Sequence, residues 1–128
     1  MRDAKFRALT DIQTGPNEFQ EGFVYGGIYI HDEICKYITT KDFDFISAKK
    51  DSIGQYTGLK DKNGVEIYEG DILHHQIQGN RKVIYPMSDN FAGFGLESTE
   101  GKKNTLQDSS YLYEVVGNIH QNPELLEK

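Results

Sequence analysis

The sequence predicts an all-β domain of mainly antiparallel strands, closed into a small barrel or sandwich, with one short helix at the C-terminal end. Three observations predict this class. Short apolar and aromatic runs alternate with turn residues about every 8–12 positions, a rhythm typical of hairpins. The 13 glycines are spread along the chain instead of forming a linker. No long segment shows a helical period, which disfavours alternating strands and helices.

The size and composition of the chain indicate one domain, spanning residues 1–128, with a real core. A chain of 128 residues buries about two-thirds of the surface that its unfolded form exposes. Apolar residues make up only 37%, but 8 Tyr and 7 Phe compensate, because each buried aromatic removes about 150–250 Å² from water. We therefore expect a folded chain.

The net charge and the number of cysteines indicate which ligands and which cellular compartment to expect. The net charge is −6 with a pI near 5.1, which disfavours a general nucleic-acid binder because phosphate binding depends on clustered Lys and Arg. Cys35 is the single cysteine, so no internal disulfide is possible and a reducing cytoplasm is expected. The first residues lack the apolar region of a signal peptide, and no stretch approaches a membrane span.

Strands followed by a short helical turn are predicted in the first half of the chain. The Gly26-Gly27 pair predicts a bulge or a tight hairpin inside a strand. Residues 51–54 resemble a helical turn opened by Asp or Ser. The predicted strands cover residues 5–9, 23–30 and 34–39, with a turn at 14–17 and an ambiguous segment at 43–46.

Two hairpin turns are predicted in the middle of the chain. Asn63-Gly64 is typical of a type I′ turn, which requires positive φ at both central residues. Gly79-Asn80 is typical of a type II′ turn between strands at 72–78 and 81–85. A glycine-rich strand is predicted at 91–96.

The last third of the chain contains a predicted loop, a strand and a short helix. Residues 97–109 are polar and are predicted to be the most mobile loop. Residues 111–119 form a predicted strand. Asn122-Pro123-Glu124 then supplies an N-cap, a proline at the first helical position and an early acidic residue.

Three stretches of the sequence together resemble the YopX family. They are residues 1–8 (MRDAKFRA), residues 55–72 (QYTGLKDKNGVEIYEGDI) and residues 113–126 (YEVVGNIHQNPELL). The central stretch is long and nearly unbroken, and the three span the chain from end to end. The resemblance implies a partly open barrel of short, bifurcated sheets and a gene carried by bacteriophages or prophages. It implies no activity, cofactor or catalytic residue.

The segment from residue 56 to residue 72 contains the most suggestive surface. Tyr56, Lys60, Asp61 and Tyr68 are the candidate partner-binding residues, because aromatic, cationic and acidic groups occur close together. The alternative is structural: the tyrosines pack, and Lys60-Asp61 lead into the turn. Asp71 is similarly expected to cap backbone N–H groups after the turn at Gly70.

No cofactor, metal or catalytic site is predicted. His74 and His75 are neighbours on a predicted strand, so they point to opposite faces and do not easily share one ion. The sequence contains no phosphate-binding glycine loop and no nucleophile elbow.

Three functions stay open at this point. The first is a non-enzymatic phage or prophage accessory protein that binds a host or phage protein or assembles with itself. The second is a small nucleic-acid-binding barrel, which predicts that cations of residues 2–7, 49–50 and 81–82 converge on one face. The third, a hydrolase, requires a cleft where Asp71, Glu69 or a histidine meets a partner group.

Overall fold

The structure, a computed structural model, describes residues 5–30, 36–39, 45–49, 51–90, 92–106 and 109–127. The chain forms two compact units, Met1–Gln55 and Tyr56–Lys128. The single domain predicted over residues 1–128 stays a prediction. No helix in these ranges is both long and apolar enough to cross a membrane.

The described residues form eleven strands and two short 3₁₀ turns, so the predicted all-β fold is confirmed. Every strand pair is antiparallel. The strands are β1 (Phe6–Gly15), β2 (Glu18–Ile30), β3 (Lys36–Thr39), β4 (Phe45–Ser47), β5 (Gly54–Lys60), β6 (Glu66–Tyr68), β7 (Asp71–His75), β8 (Gly79–Ile84), β9 (Gly95–Ser98), β10 (Lys103–Thr105) and β11 (Glu114–Asn118). The 3₁₀ turns are Ser110–Leu112 and Pro123–Leu126.

The first unit is built on the long β1–β2 hairpin. Its strands pair from Phe6↔Gly26 to the turn after Gly15, where Asn17 has φ 59°. β3 pairs with the second half of β2, β4 pairs with β3, and the start of β5 pairs with β1. Ala8 and Leu9 are buried in this unit.

Two expectations for the first unit are wrong. Gly26-Gly27 forms neither a hairpin nor a bulge: β2 runs straight through, and its partner changes there from β1 to β3. Residues 51–54 are not a helical turn. The Ser52 hydroxyl instead donates to the Lys49 carbonyl at 2.7 Å and accepts from the Leu9 N–H at 3.0 Å, so its bonds secure a bend. A hydroxyl side chain that bonds to backbone groups in this way competes with the hydrogen bonds of a helix.

The second unit contains a five-stranded sheet in the order β10-β9-β8-β7-β11, together with the β5–β6 pair. Its core is apolar and fully buried, which supplies the main driving force for folding. The core consists of Ile67, Leu73, Val83, Leu96, Leu106 and Tyr113, with Leu59, Phe94 and Val115 packed against it.

Both predicted hairpin turns of the second unit are wrong in type or place. Gly64 has φ 81° but Asn63 is not in the positive-φ region, so the turn is not type I′. The Gly64 N–H donates to the Asp61 carbonyl at 3.0 Å, which makes Asp61 the first turn residue and Gly64 the fourth. At the second site the turn comprises residues 76–78, and Gly79 (φ 76°) is already paired with His75.

The last third differs from its prediction in three details. The polar segment 97–109 contains the end of β9 and all of β10, which pair with each other. β11 is shorter than predicted because a 3₁₀ turn precedes it, and its ladder is irregular between Val115 and Gly117. The predicted short C-terminal helix is present as the 3₁₀ turn Pro123–Leu126, with Pro123 and Glu124 at its start, but the Asn122 side chain does not cap it. That side chain accepts from the Asn118 N–H instead.

Candidate functional site

Asp61 organises the most densely bonded turn of the second unit. The residue directly follows β5 and is only 5% exposed. Its Oδ1 accepts the N–H groups of Asn63 at 2.8 Å and of Val65 at 2.9 Å. Its Oδ2 accepts the N–H of Val115 at 2.9 Å. An ionised carboxylate makes shorter and stronger bonds to backbone donors than a neutral acceptor does, so one side chain secures both the turn and β11.

The same turn covers the start of the outer edge of β11. The Lys62 N–H donates to the Tyr113 carbonyl at 3.0 Å, and Lys62 Nζ lies 3.8 Å from Glu114 Oε2. Exposed strand edges attract other strands because their N–H and C=O groups have no partner. Here Asp61 and Lys62 occupy two of those groups, and the segments 61–65 and 113–115 form one structural junction.

The four predicted partner-binding residues do not share one surface. Tyr56 and Tyr68 lie opposite each other in the β5–β6 pair, with ring centroids 5.4 Å apart. Tyr68 and Asp61 are buried, Tyr56 is half-buried, and Lys60 is exposed opposite Glu66. A partner that binds at β5 and β6 therefore contacts Lys60 and the exposed part of Tyr56. The buried side chains of Asp61 and Tyr68 support the structure. Their assignment as binding residues stays a prediction.

Four exposed apolar residues that the sequence analysis missed lie in or next to the segments that meet at the junction. We define the junction surface as Val65, Tyr111, Leu112 and Val116, whose exposed fractions are 47%, 67%, 48% and 40%. Each lies within two residues of a backbone group held at the junction, namely Val65 N–H, Tyr113 C=O or Val115 N–H. One sequence signal was available: Tyr111-Leu112-Tyr113 is an apolar run. The 3₁₀ turn Ser110–Leu112, which stands where a strand was predicted, leaves Tyr111 and Leu112 exposed while Tyr113 is buried.

Lys49 and Arg7, two of the cations that the nucleic-acid hypothesis requires, have local partners. Lys49 Nζ lies 2.6 Å from Glu21 Oε2 and 3.1 Å from Asp11 Oδ1. The hydrogen bonds that Lys49 donates to Glu21 first, and then to Asp11, raise the Lys49 pKa above its ordinary value. Arg7 is 6% exposed, with its guanidinium 4.2 Å from the Phe23 ring centroid. These side chains are engaged within the first unit instead of being directed at a phosphate backbone.

The basic pair of the second unit is similarly engaged. Arg81 donates to Asn104 Oδ1, and Lys82 Nζ lies 3.2 Å from Glu97 Oε1. Residues 2–4 and 50, which complete the predicted basic strip, lie outside the described residues. The nucleic-acid hypothesis stays a prediction.

The groups considered for catalysis or metal binding have structural partners. Asp71 is 2% exposed, and its Oδ2 accepts the Tyr68 N–H at 2.8 Å, which confirms the predicted local cap beside Gly70 (φ 92°). His74 bonds to Asn80, whereas His75 bonds to the following turn. Within the described residues, no group of three or more His, Cys, Asp or Glu is arranged to hold a metal ion.

These features define a small antiparallel β protein whose acidic turn residue ties a hairpin to an edge strand. The chain belongs to the YopX family: the family described as "YopX protein" matches residues 5–127. The chain is also similar to a solved protein from Enterococcus faecalis, described as the crystal structure of protein EF1440. The two are 27% identical over 98% of this chain and 99% of that one, with a TM-score of 0.48. No curated protein matches the chain.

Proposed function

We propose that this protein is a non-enzymatic accessory protein of a bacteriophage or prophage that acts in the bacterial cytoplasm by binding another protein. Membership of the YopX family supports the phage setting, and the lone Cys35 supports a reducing compartment. The observation that carries the binding proposal is the junction surface, whose four exposed apolar residues lie in or next to the segments joined by the Asp61–Val115 hydrogen bond.

The chemistry of the junction surface is suited to a protein partner. Aromatic residues are enriched in the cores of protein interfaces, while isolated exposed apolar residues are common on any surface. Tyr111 combines a large apolar ring with a polar tip and is 67% exposed. Lys62 and Glu114, paired at the same junction, supply charges of both signs at the rim. Such an arrangement favours a mixed apolar and polar contact over a phosphate backbone.

The partner is expected to contact side chains instead of adding a strand to β11. Lys62 and Asp61 occupy the backbone groups at the start of its outer edge. Near its end, the Asn118 N–H donates to Asn122 Oδ1 at 3.2 Å. An edge whose polar groups are already bonded is a poor template for strand addition.

The test is affinity capture of the tagged full-length protein from lysate of a bacterium that carries the gene, with and without nuclease. The wild type is compared with a Tyr111→Ser/Leu112→Ser double variant. Tyr85→Ser is the matched control, because Tyr85 is also a half-exposed tyrosine of the second unit, at 46%. Sedimentation of each purified variant shows whether it is folded and whether it self-associates.

A protein that survives nuclease, is retained by Tyr85→Ser and is lost with the double variant would support the proposal. A protein captured equally by all three would rule out the junction surface. Partners lost only after nuclease treatment would favour nucleic acid instead. Self-association removed by the double variant would identify the partner as a second copy of this chain.

A further inference from the structure

His75 holds the turn between β7 and β8 through one ring nitrogen. Its Nδ1 accepts the N–H of Ile77 at 3.0 Å and the N–H of Gln78 at 3.1 Å. The turn at residues 76–78 presents Ile77, whose side chain is 89% exposed. The shape of the most exposed apolar tip of this unit therefore depends on an imidazole acting as an acceptor.

Only a neutral imidazole performs this role. A neutral ring has one N–H and one acceptor nitrogen, whereas a protonated ring carries hydrogen on both nitrogens and accepts nothing. The two backbone donors therefore place the His75 hydrogen on Nε2. Protonation would direct a third N–H toward Ile77 N–H and Gln78 N–H, and would leave both without their acceptor.

His74, the preceding residue, donates a hydrogen bond through its Nδ1, whereas His75 accepts through the same atom. Asn80 Nδ2 donates to the Leu125 carbonyl at 2.8 Å, so the amide oxygen of Asn80 faces His74. That oxygen lies 2.8 Å from His74 Nδ1, which must therefore carry the hydrogen. A protonated His74 keeps this bond because its Nδ1 is still a donor.

Charged and titratable groups around His75 are engaged elsewhere. The Tyr113 ring lies 5.2 Å from the His75 ring, and Gly79 of β8 lies opposite His75. Arg81 of β8 lies opposite Leu73, on the same face of the sheet as His75, and donates to Asn104. On β11, Glu114 is opposite His74, not His75, and lies 3.8 Å from Lys62.

We propose that His75 makes the β7–β8 turn acid-sensitive, holding the Ile77 tip in one shape while neutral and releasing it when protonated. The proposed change is a local rearrangement of residues 75–79 and requires no unfolding of the sheet. It does not depend on the junction surface.

The test is amide hydrogen exchange of the full-length protein between pH 7.5 and pH 5, with ring ¹⁵N shifts reporting the protonation of each histidine. In the wild type, the protection factors of Ile77 and Gln78 are expected to fall about tenfold as His75 protonates, the effect of losing roughly one net hydrogen bond. His75→Asn places a non-titrating amide oxygen near the position of Nδ1, so its protection is expected to be independent of pH. His74→Asn is the matched control and should behave as the wild type does.

The proposal is overturned if His75 protonates while the Ile77 and Gln78 amides keep their protection. It is equally overturned if His75 stays neutral down to pH 5, or if His75→Asn shows the same loss as the wild type. Loss confined to residues 75–79, with β9 and β11 amides unchanged, is the supporting result.

Discussion

The Asp61 carboxylate accepts a hydrogen bond from the Val115 N–H at 2.9 Å, across 54 positions of the sequence. With its second oxygen it holds the turn that follows β5. A turn residue thereby also covers the edge of a strand that is distant in the chain. The bond joins the two segments that carry the junction surface, so Asp61 supports both the stability of the second unit and the proposed binding surface.

Replacing Asp61 should destabilise the protein even though no apolar contact is removed. Asp61→Ala leaves three backbone donors without acceptors, and we expect a loss of about 2–4 kcal/mol in the free energy of unfolding. Asp61→Asn keeps one acceptor oxygen and should cost less. Urea unfolding monitored by circular dichroism measures both. A loss below about 0.5 kcal/mol for the alanine variant, the range of ordinary surface substitutions, would contradict the role of Asp61.

Gly64 should be sensitive to backbone conformation alone. Its φ is 81°, and an added Cβ would meet nothing within 4 Å. Gly64→Ala is therefore expected to cost about 1–2 kcal/mol, the penalty of a left-handed conformation for a residue with a Cβ. Gly64→Asn should recover part of this loss in the same unfolding experiment, because Asn tolerates that region. Equal losses for Ala and Asn would contradict the explanation.

Gly117 should be sensitive to the volume of an added side chain and not to backbone conformation. Its φ is not in the positive region, but an added Cβ would lie 2.7 Å from Asn122 Oδ1 and 2.8 Å from Leu125 Cδ1. We expect Gly117→Ala to cost about 1–3 kcal/mol through overpacking, with no recovery in Gly117→Asn. Leu125→Ala in the Gly117→Ala background should relieve part of the cost. If it relieves nothing, the close approach is not the cause.

The tyrosine pair of β5 and β6 should show measurable coupling. Tyr56 and Tyr68 lie opposite each other with centroids 5.4 Å apart. A double-mutant cycle with Tyr56→Ala and Tyr68→Ala is expected to give a coupling of about 0.5–1.5 kcal/mol. Tyr68→Ala should be the costlier single change, because Tyr68 is only 3% exposed. Coupling near zero would favour a contact role over packing for Tyr56.

Lys49 should titrate above its ordinary value because of Glu21 first and Asp11 second. Glu21→Gln is expected to lower the Lys49 pKa more than Asp11→Asn does, as followed by NMR of the lysine side chain. Because the folded pKa is raised, the stability from this group is fully present below about pH 10.5 and is lost as the pH rises through the folded value. Glu18→Gln, an exposed acid on the same strand, is the control and should leave the titration unchanged.

The sequence by itself determined the features that arise from local chemistry. Alternating apolar residues predicted antiparallel strands, because side chains on a strand alternate between two faces. Gly70 and Asp71 predicted a capped turn that the structure contains, since cap and turn lie within four residues. The long central motif around residues 55–72 also indicated the family.

Tertiary structure decided every feature whose partner is distant in the chain. Asn63-Gly64 resembles a type I′ turn, but the Asp61 carboxylate accepts from Asn63 N–H and Val65 N–H within a different turn and also from Val115 N–H, 54 residues away. Ser52 resembles a helix start, but its hydroxyl is bonded to Leu9, 43 residues away. Val115 bonds Asp61, and Ser52 bonds Leu9, because the fold brings these residues together. A short polar side chain bonds the backbone groups that lie within its reach. Only the fold brings the segments 61–65 and 113–115 together, although the apolar run Tyr111-Leu112-Tyr113 is visible in the sequence.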